Sequence, residues 1–170
     1  MTMESTLTGE KVNRYVQLHT SIDDLNKRML MNPEVQRRIG SCHGTRCSGT
    51  HAINSLYALT YDIDNKLGSH YHERFTRWLK EIQRRDLTCT LTGTDARGDR
   101  SKRASQQADP DMYTHIAERK KDGIIIRGAK MYQSASPEAE WHVVMPVGAF
   151  QEGEEDYAVA CAIPADNKGV

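Results

Sequence analysis

An α+β fold, a helical N-terminal part followed by an antiparallel β unit, is what this sequence of 170 residues predicts. Two observations carry it. Up to about residue 86 the apolar side chains recur every three to four positions, the repeat of a helix with one buried face. Beyond it they alternate with polar ones, the repeat of a half-buried strand. The boundary divides the chain into a helical part, 1–86, and a β part, 87–170.

The elements follow in order. SIDDLNKRML opens with Ser21 as N-cap and Asp24 three residues on, a capping box with Asp in place of Glu; Asp23 and Asp24 favour the positive helix end. Asn32-Pro33 reads as a stop and restart, and the restarted helix ends at Gly40. A third helix follows Gly49, with Ile53, Leu56, Tyr57, Ile63 and Leu67 on its apolar face, and stops at Gly68. In the fourth, Tyr71, Phe75, Trp78, Leu79 and Ile82 form one stripe, read as core packing. Leu87, Cys89 and Leu91 then alternate with threonines in LTCTLTGT, a strand. The stretch 95–110 has no apolar periodicity and reads as a long loop, the kind that usually carries function. HIAERKK and IIIRGAKMY flank Asp122-Gly123, the strongest short-range hairpin signal in the chain. WHVVMPVG (141–148) and YAVACAI (157–163) supply two more strands across the acidic turn EGEED, and the sheet so begun reads as unfinished at Val170.

Composition narrows the function. Lys plus Arg, 23, balances Asp plus Glu, 23, so nothing global draws nucleic acid. No apolar run approaches the ~20 residues of a membrane helix, and the polar Met1 to Lys11 segment does not read as a secretory signal. The expectation is a cytoplasmic protein without nucleic-acid or membrane partners. Four cysteines are too few for a disulfide scaffold in a chain of this length, which leaves reduced thiols or metal ligands.

Two segments could carry chemistry. CHGTRCSGTH holds Cys42, His43, Cys47 and His51, soft ligands suited to zinc or an iron–sulfur cluster. Its C-x4-C spacing is not that of a zinc knuckle, and two unrelated thiols beside a helix start is the competing reading. Gly44 to Thr50 nearly spells a phosphate loop, but lacks the lysine and the preceding strand. No G-x-G-x-x-G follows a strand. The second segment, GTDARGDR (93–100), lies at a strand end. Its glycines let backbone N–H groups approach a ligand and its arginines can pair with phosphate or carboxylate; a solvated charged loop is the bland alternative. His19, His70, His72, His115 and His142 are scattered and read as structural or exposed.

The ordered series KVNRYVQLHTSIDDL, RCSGTHAIN, TYDID, YHERFTRWLKEIQRRDL, TGTDARGDR, DPDMY, DGIIIRGAK and DYAVACAIPADNKGV resembles the flavoprotein family of 4-hydroxyphenylacetate 3-hydroxylase, in particular its 4-hydroxybutyryl-CoA dehydratase branch. The resemblance runs from about Lys11 to Val170 and covers only part of a family protein: the end of a helical domain and the start of a central β domain. It implies an acyl-CoA dehydrogenase-like architecture and FAD as cofactor, in a protein that is a homotetramer when complete. It implies that Gly93, Thr94, Asp95, Ala96, Arg97, Gly98, Asp99 and Arg100 form one FAD-contacting segment and Tyr132, Gln133 and Ser134 a second. Cys42 and Cys47 match two ligands of a [4Fe–4S] cluster, with a spacing one residue longer than in the family.

The dehydratase branch implies an acyl-CoA substrate losing water. The hydroxylase branch implies a small aromatic substrate, oxygenated with reduced FAD from a reductase, and needs no cluster, so the cysteine pair favours the dehydratase. The family's catalytic groups are expected beyond Val170, which makes this chain alone inactive, a part that needs the remainder of the enzyme or a second chain. Were it active alone, His43, His51, Tyr71 and His72 would be the side chains to examine. A non-catalytic flavin-binding or assembly module, and a small zinc-binding module, are the readings from other classes.

Overall fold

The computed structural model describes residues 2–42, 44–133 and 136–170. Three helices and seven short strands make up the described residues: β1 (Thr2–Glu4), β2 (Lys11–Asn13), α1 (Ile22–Ile39), α2 (Gly44–Leu67), α3 (Tyr71–Arg85), β3 (Cys89–Thr92), β4 (His115–Arg119), β5 (Ile124–Arg127), β6 (Trp141–Val144) and β7 (Cys161–Pro164). This is the small α+β fold that the two periodicities anticipate. None of the described helices is long and apolar enough to cross a membrane.

Helix α1 starts where its sequence says: Ser21 Oγ accepts the Asp24 N–H at 3.1 Å, and Gly40, at φ 72°, closes the far end. It does not stop at Pro33, which lies inside one continuous helix. The reason is tertiary. Met31 and Val35 on either side of the proline form a small core with Tyr15, whose hydroxyl donates to Asn32 Oδ1 at 3.1 Å. That packing offsets the ~3 kcal/mol a helical proline costs.

Helix α2 begins at Gly44, earlier than expected, so Cys47 and Gly49 are helical. The segment that resembles a phosphate loop is therefore no loop. Gly49 is required by packing: a Cβ there would collide with the Cys89 carbonyl, so α2 passes directly against β3. The main core, with Ile53, Leu56, Leu79, Ile82, Cys89 and Val143, draws on α2, α3, β3 and β6.

A polar N-terminus that looked featureless forms the antiparallel β1–β2 hairpin. Buried Gln83 of α3 holds the start of the chain, accepting from Ser5 Oγ at 2.6 Å and donating to the Val16 carbonyl at 2.9 Å.

The β part departs from the expected antiparallel unit. In the sheet of order β3-β6-β7, β3 runs parallel to β6 and only β6–β7 is antiparallel. The stretch between β3 and β6 is long enough to return the chain to the same end of the sheet, which parallel pairing requires. Within that stretch β4 and β5 form the antiparallel Asp122-Gly123 hairpin, closed by the Lys120 N–H on the Gly123 carbonyl at 2.8 Å. The final strand is shorter than its sequence run: 155–157 is a 3-10 turn and pairing begins at Cys161.

Candidate functional site

Beyond β3 the chain leaves the sheet at Gly93 and enters the 93–100 segment. Asp95 forms an isolated antiparallel bridge with Lys130, and the Met131 N–H donates to the Thr94 carbonyl at 2.7 Å. The segments 94–100 and 131–132, far apart in sequence, thus meet as two walls of one cavity of about 550 Å³. It is lined by Thr94, Asp95, Ala96, Arg97, Gly98, Arg100, Met131 and Tyr132.

The loop is held by its own polar groups. Gln107 is the hub: its Oε1 accepts the Asp99 N–H at 2.9 Å, and its Nε2 donates to the carbonyls of Asp99, Lys102 and Arg103 at 2.9, 3.2 and 3.3 Å. Gly98, at φ 45°, leaves the space that Gln107 fills; a Cβ would strike its amide oxygen. Tyr113 donates its hydroxyl to the Arg97 carbonyl at 3.3 Å. Hydrogen bonds from the Ser101 hydroxyl and N–H hold the Asp99 carboxyl below the usual range, fixing that charge in place.

Two non-glycine residues here have left-handed backbone, Arg97 at φ 31° and Tyr132 at φ 60°. Such conformations cost of order 1–3 kcal/mol each and persist where surroundings impose them, most often at functional sites. Tyr132 is 82% exposed, a large aromatic held out beside the cavity. No carboxylate among the described residues pairs with Arg97 or Arg100. The cavity therefore presents unneutralised guanidinium groups, glycine backbone and an exposed aromatic ring. Those are the groups that a diphosphate-bearing aromatic cofactor such as FAD needs, so the residues fit it.

Of the segments read from sequence, Thr94, Asp95, Ala96, Arg97, Gly98, Arg100 and Tyr132 meet at the cavity, while Gly93 and Asp99 do not line it and Gln133 adjoins it in the chain; Ser134, like His43, lies outside the described residues. The sequence reading missed Gln107 and Lys130. Nothing in the pattern marks either: Lys130 acts through partners distant in the chain, and Gln107 through backbone groups of an irregular loop that no periodicity describes.

The cysteine segment is different. Cys42 is exposed and Cys47 half-buried in the first turn of α2, where Arg28 Nη2 donates to the Cys47 carbonyl at 3.0 Å and to its Sγ at 3.4 Å. Burial, then Cys47 and more weakly Cys42, push the Tyr15 hydroxyl pKa up. The other cysteines do not complete a ligand set. Burial pushes Cys89 up to about 12 and Cys161 to about 11, so both are thiols at neutral pH. Among the described residues no three Cys, His, Asp or Glu side chains converge as a metal site. Cys42 and Cys47 are two of the four ligands that a [4Fe–4S] cluster would need, and no zinc module forms from the described residues.

Tyr71 and His72 lie at the start of α3, away from these segments in the chain. His72 lines a groove of about 650 Å³ between α2 and α3. Within it Asp64 accepts from Ser69 Oγ and from the N–H groups of Tyr71 and His72 at 2.6, 2.9 and 2.8 Å, capping α3, and His72 Nδ1 meets Thr60 Oγ1 at 3.1 Å.

The sequence profile of the family described as 4-hydroxyphenylacetate 3-hydroxylase N terminal matches residues 1–170. The chain belongs to that family. As a 4-hydroxyphenylacetate 3-hydroxylase N-terminal region, it is 42% identical over 170 residues to 4-hydroxybutyryl-CoA dehydratase/vinylacetyl-CoA-Delta-isomerase of Clostridium aminobutyricum, matching all of this chain and 34% of the relative. It is 27% identical over 172 residues to the oxygenase component of 4-hydroxyphenylacetate 3-monooxygenase of Geobacillus sp., covering 35% of that protein. Among solved structures, the oxygen-tolerant 4-hydroxybutyryl-CoA dehydratase of N. maritimus superposes over 99% of this chain and 33% of its own, with TM-score 0.95 and 38% identity. A 4-hydroxyphenylacetate 3-monooxygenase oxygenase component complexed with FAD shares the fold, with TM-score 0.75 at 23% identity. This family region spans about a third of the length of these relatives.

Proposed function

We propose that this chain is the flavin-binding first third of a 4-hydroxybutyryl-CoA dehydratase-type enzyme, with an acyl-CoA as substrate. The observation that carries the reading is the gap in similarity over the same span, 42% identity to the dehydratase against 27% to the monooxygenase. The cavity between 94–100 and 131–132 supports it from the chemical side.

In this reading FAD lies between a helical domain, to which 1–86 belongs, a β domain, to which 87–170 belongs, and a helical bundle supplied by the rest of a homotetrameric protein. The whole adopts the acyl-CoA dehydrogenase-like arrangement. Arg97 and Arg100 would neutralise the diphosphate, and Gly93 and Gly98 would let backbone N–H groups approach it. Tyr132 and Gln133 would border the flavin, a role that the family resemblance also gives Ser134, and Asp99 keeps the loop's shape. FAD when bound supplies an electron acceptor for an otherwise unactivated C–H bond, beyond the reach of any side chain here. Cys42 and Cys47 would be two of four ligands to a [4Fe–4S] cluster, with Arg28 set against the Cys47 sulfur. The residues of this chain bind and orient; proton transfer and the remaining ligands fall to the rest of the protein.

The second reading, a two-component aromatic hydroxylase, shares the family and the cavity and leaves the exposed Cys42 without a task. Anaerobic purification of the full-length protein separates the two. One FAD, iron with sulfide and turnover of 4-hydroxybutyryl-CoA support the dehydratase. An iron-free preparation that hydroxylates 4-hydroxyphenylacetate overturns it.

A further inference from the structure

Lysine is almost never fully buried unless paired, yet the Lys130 side chain is only 8% exposed. Its ammonium forms an ion pair with Asp95 Oδ1 at 2.5 Å and donates to the Gly93 carbonyl at 2.9 Å and the Met145 carbonyl at 3.1 Å. These come from the loop leaving β3, from the residue after β3 and from the residue after β6. Asp95 is as deeply buried, 6% exposed, so the two charges neutralise one another away from water. Their backbones bridge as well, and the next amide, Met131, holds the Thr94 carbonyl. Asp95, Met131 and their neighbours line the cavity, and the Lys130 side chain does not.

We propose that Lys130 is the positioning residue of the flavin cavity: a clamp behind its wall that ties the 94–100 loop and the 131–132 segment to the ends of β3 and β6 and contacts no ligand. It rests on the reading of the cavity as the FAD site. A direct anion-binding role is disfavoured because the ammonium is buried, already neutralised by Asp95 and turned toward two carbonyls, and Lys130 does not line the cavity. Arginine cannot substitute, since its planar fork does not address three acceptors grouped around one nitrogen.

The experiment uses the full-length protein as wild type, Lys130→Met, Asp95→Asn and the double variant, and reads two quantities. One is the dissociation constant for FAD, with the shape of the bound flavin's visible band. The other is hydrogen exchange of the Met131 amide in the apoprotein. Lys130→Met should weaken FAD at least tenfold, blur the band and speed Met131 exchange at least tenfold. Adding Asp95→Asn removes the unpaired buried carboxylate but leaves the Gly93 and Met145 carbonyls untied, so it should restore only part of each. Should Lys130→Met fail to fold, Asp95→Asn against the double variant makes the same comparison, with weaker FAD binding and faster Met131 exchange expected in the double than in the single variant. Unchanged Met131 exchange in Lys130→Met overturns the clamp, and FAD loss alongside that unchanged exchange assigns Lys130 a direct contact. Full return of both readings to wild type in the double variant also overturns it, leaving Lys130 only the neutralisation of Asp95. If wild type binds no FAD, the flavin reading falls on its own, while Met131 exchange still decides whether Lys130 is a clamp.

Discussion

The loop after β3 and the thiol segment at the start of α2 look alike in sequence, both short, polar and rich in glycine, yet they fold to opposite degrees of completion. Residues 93–100 are over-determined: Gln107 holds the Asp99 N–H and carbonyl, Lys130 holds their flank, and two guanidinium groups have no carboxylate partner among the described residues. Cys42 and Cys47 have Arg28 beside one sulfur and no third ligand among the described residues. The cavity proposed to hold flavin has two of its walls within this chain, because 131–132 returns to the 94–100 loop. The proposed cluster has only one. A polar segment becomes a site only when a sequence-distant partner closes on it.

The sharpest way to break that comparison is to show that the two sites are not separable. Cys47→Ser in the anaerobically prepared full-length protein should abolish the iron content and leave FAD stoichiometry intact. Retained iron would remove the thiol from the ligand set. The converse variant, Arg100→Glu, should spare iron and weaken FAD by roughly 10- to 100-fold, the range for losing one charge-assisted contact. An unaltered FAD affinity would return the loop to solvated surface.

Gln107→Ala tests whether the loop's order matters apart from its charges. Bonds of about 1 kcal/mol each, partly replaced by water, predict up to about tenfold weaker FAD and faster proteolysis within 95–110. A variant indistinguishable from wild type in both would show that the arginines act without the scaffold.

The smallest effect concerns the sheet that carries the loop. Burial lowers the pKa of His142 on β6, whose Nδ1 lacks a partner among the described residues and whose Nε2 meets Ser136 Oγ at 3.3 Å. The folded state thus favours the neutral ring. Its contribution is fully present above the unfolded value of about 6.5 and is lost as pH falls through that value toward the lower folded one. Denaturation midpoints of the full-length protein at pH 7.5 and 5.5 should fall with pH, and less steeply in His142→Gln. Equal slopes would exclude the histidine as the cause.

Much was legible before any coordinates. Ser21 and Gly40 bound α1, the Tyr71 to Ile82 stripe is α3, Asp122-Gly123 turns a hairpin, and the ordered motifs mark the family. Each depends on interactions within a few residues, or on residue types at fixed spacing, which a sequence displays directly. Tertiary packing decided the rest. Tyr15, Met31 and Val35 carry α1 through Pro33, the return path after Gly93 sets β3 parallel to β6, and the Cys89 carbonyl demands glycine at 49. Gln107 and Lys130 read as ordinary surface residues until the fold buries the lysine against Asp95 and gives the glutamine four backbone partners. Desolvation and long-range hydrogen bonds exist only between segments that the folded chain brings together. A linear pattern can name the cavity's arginines, but not what holds them.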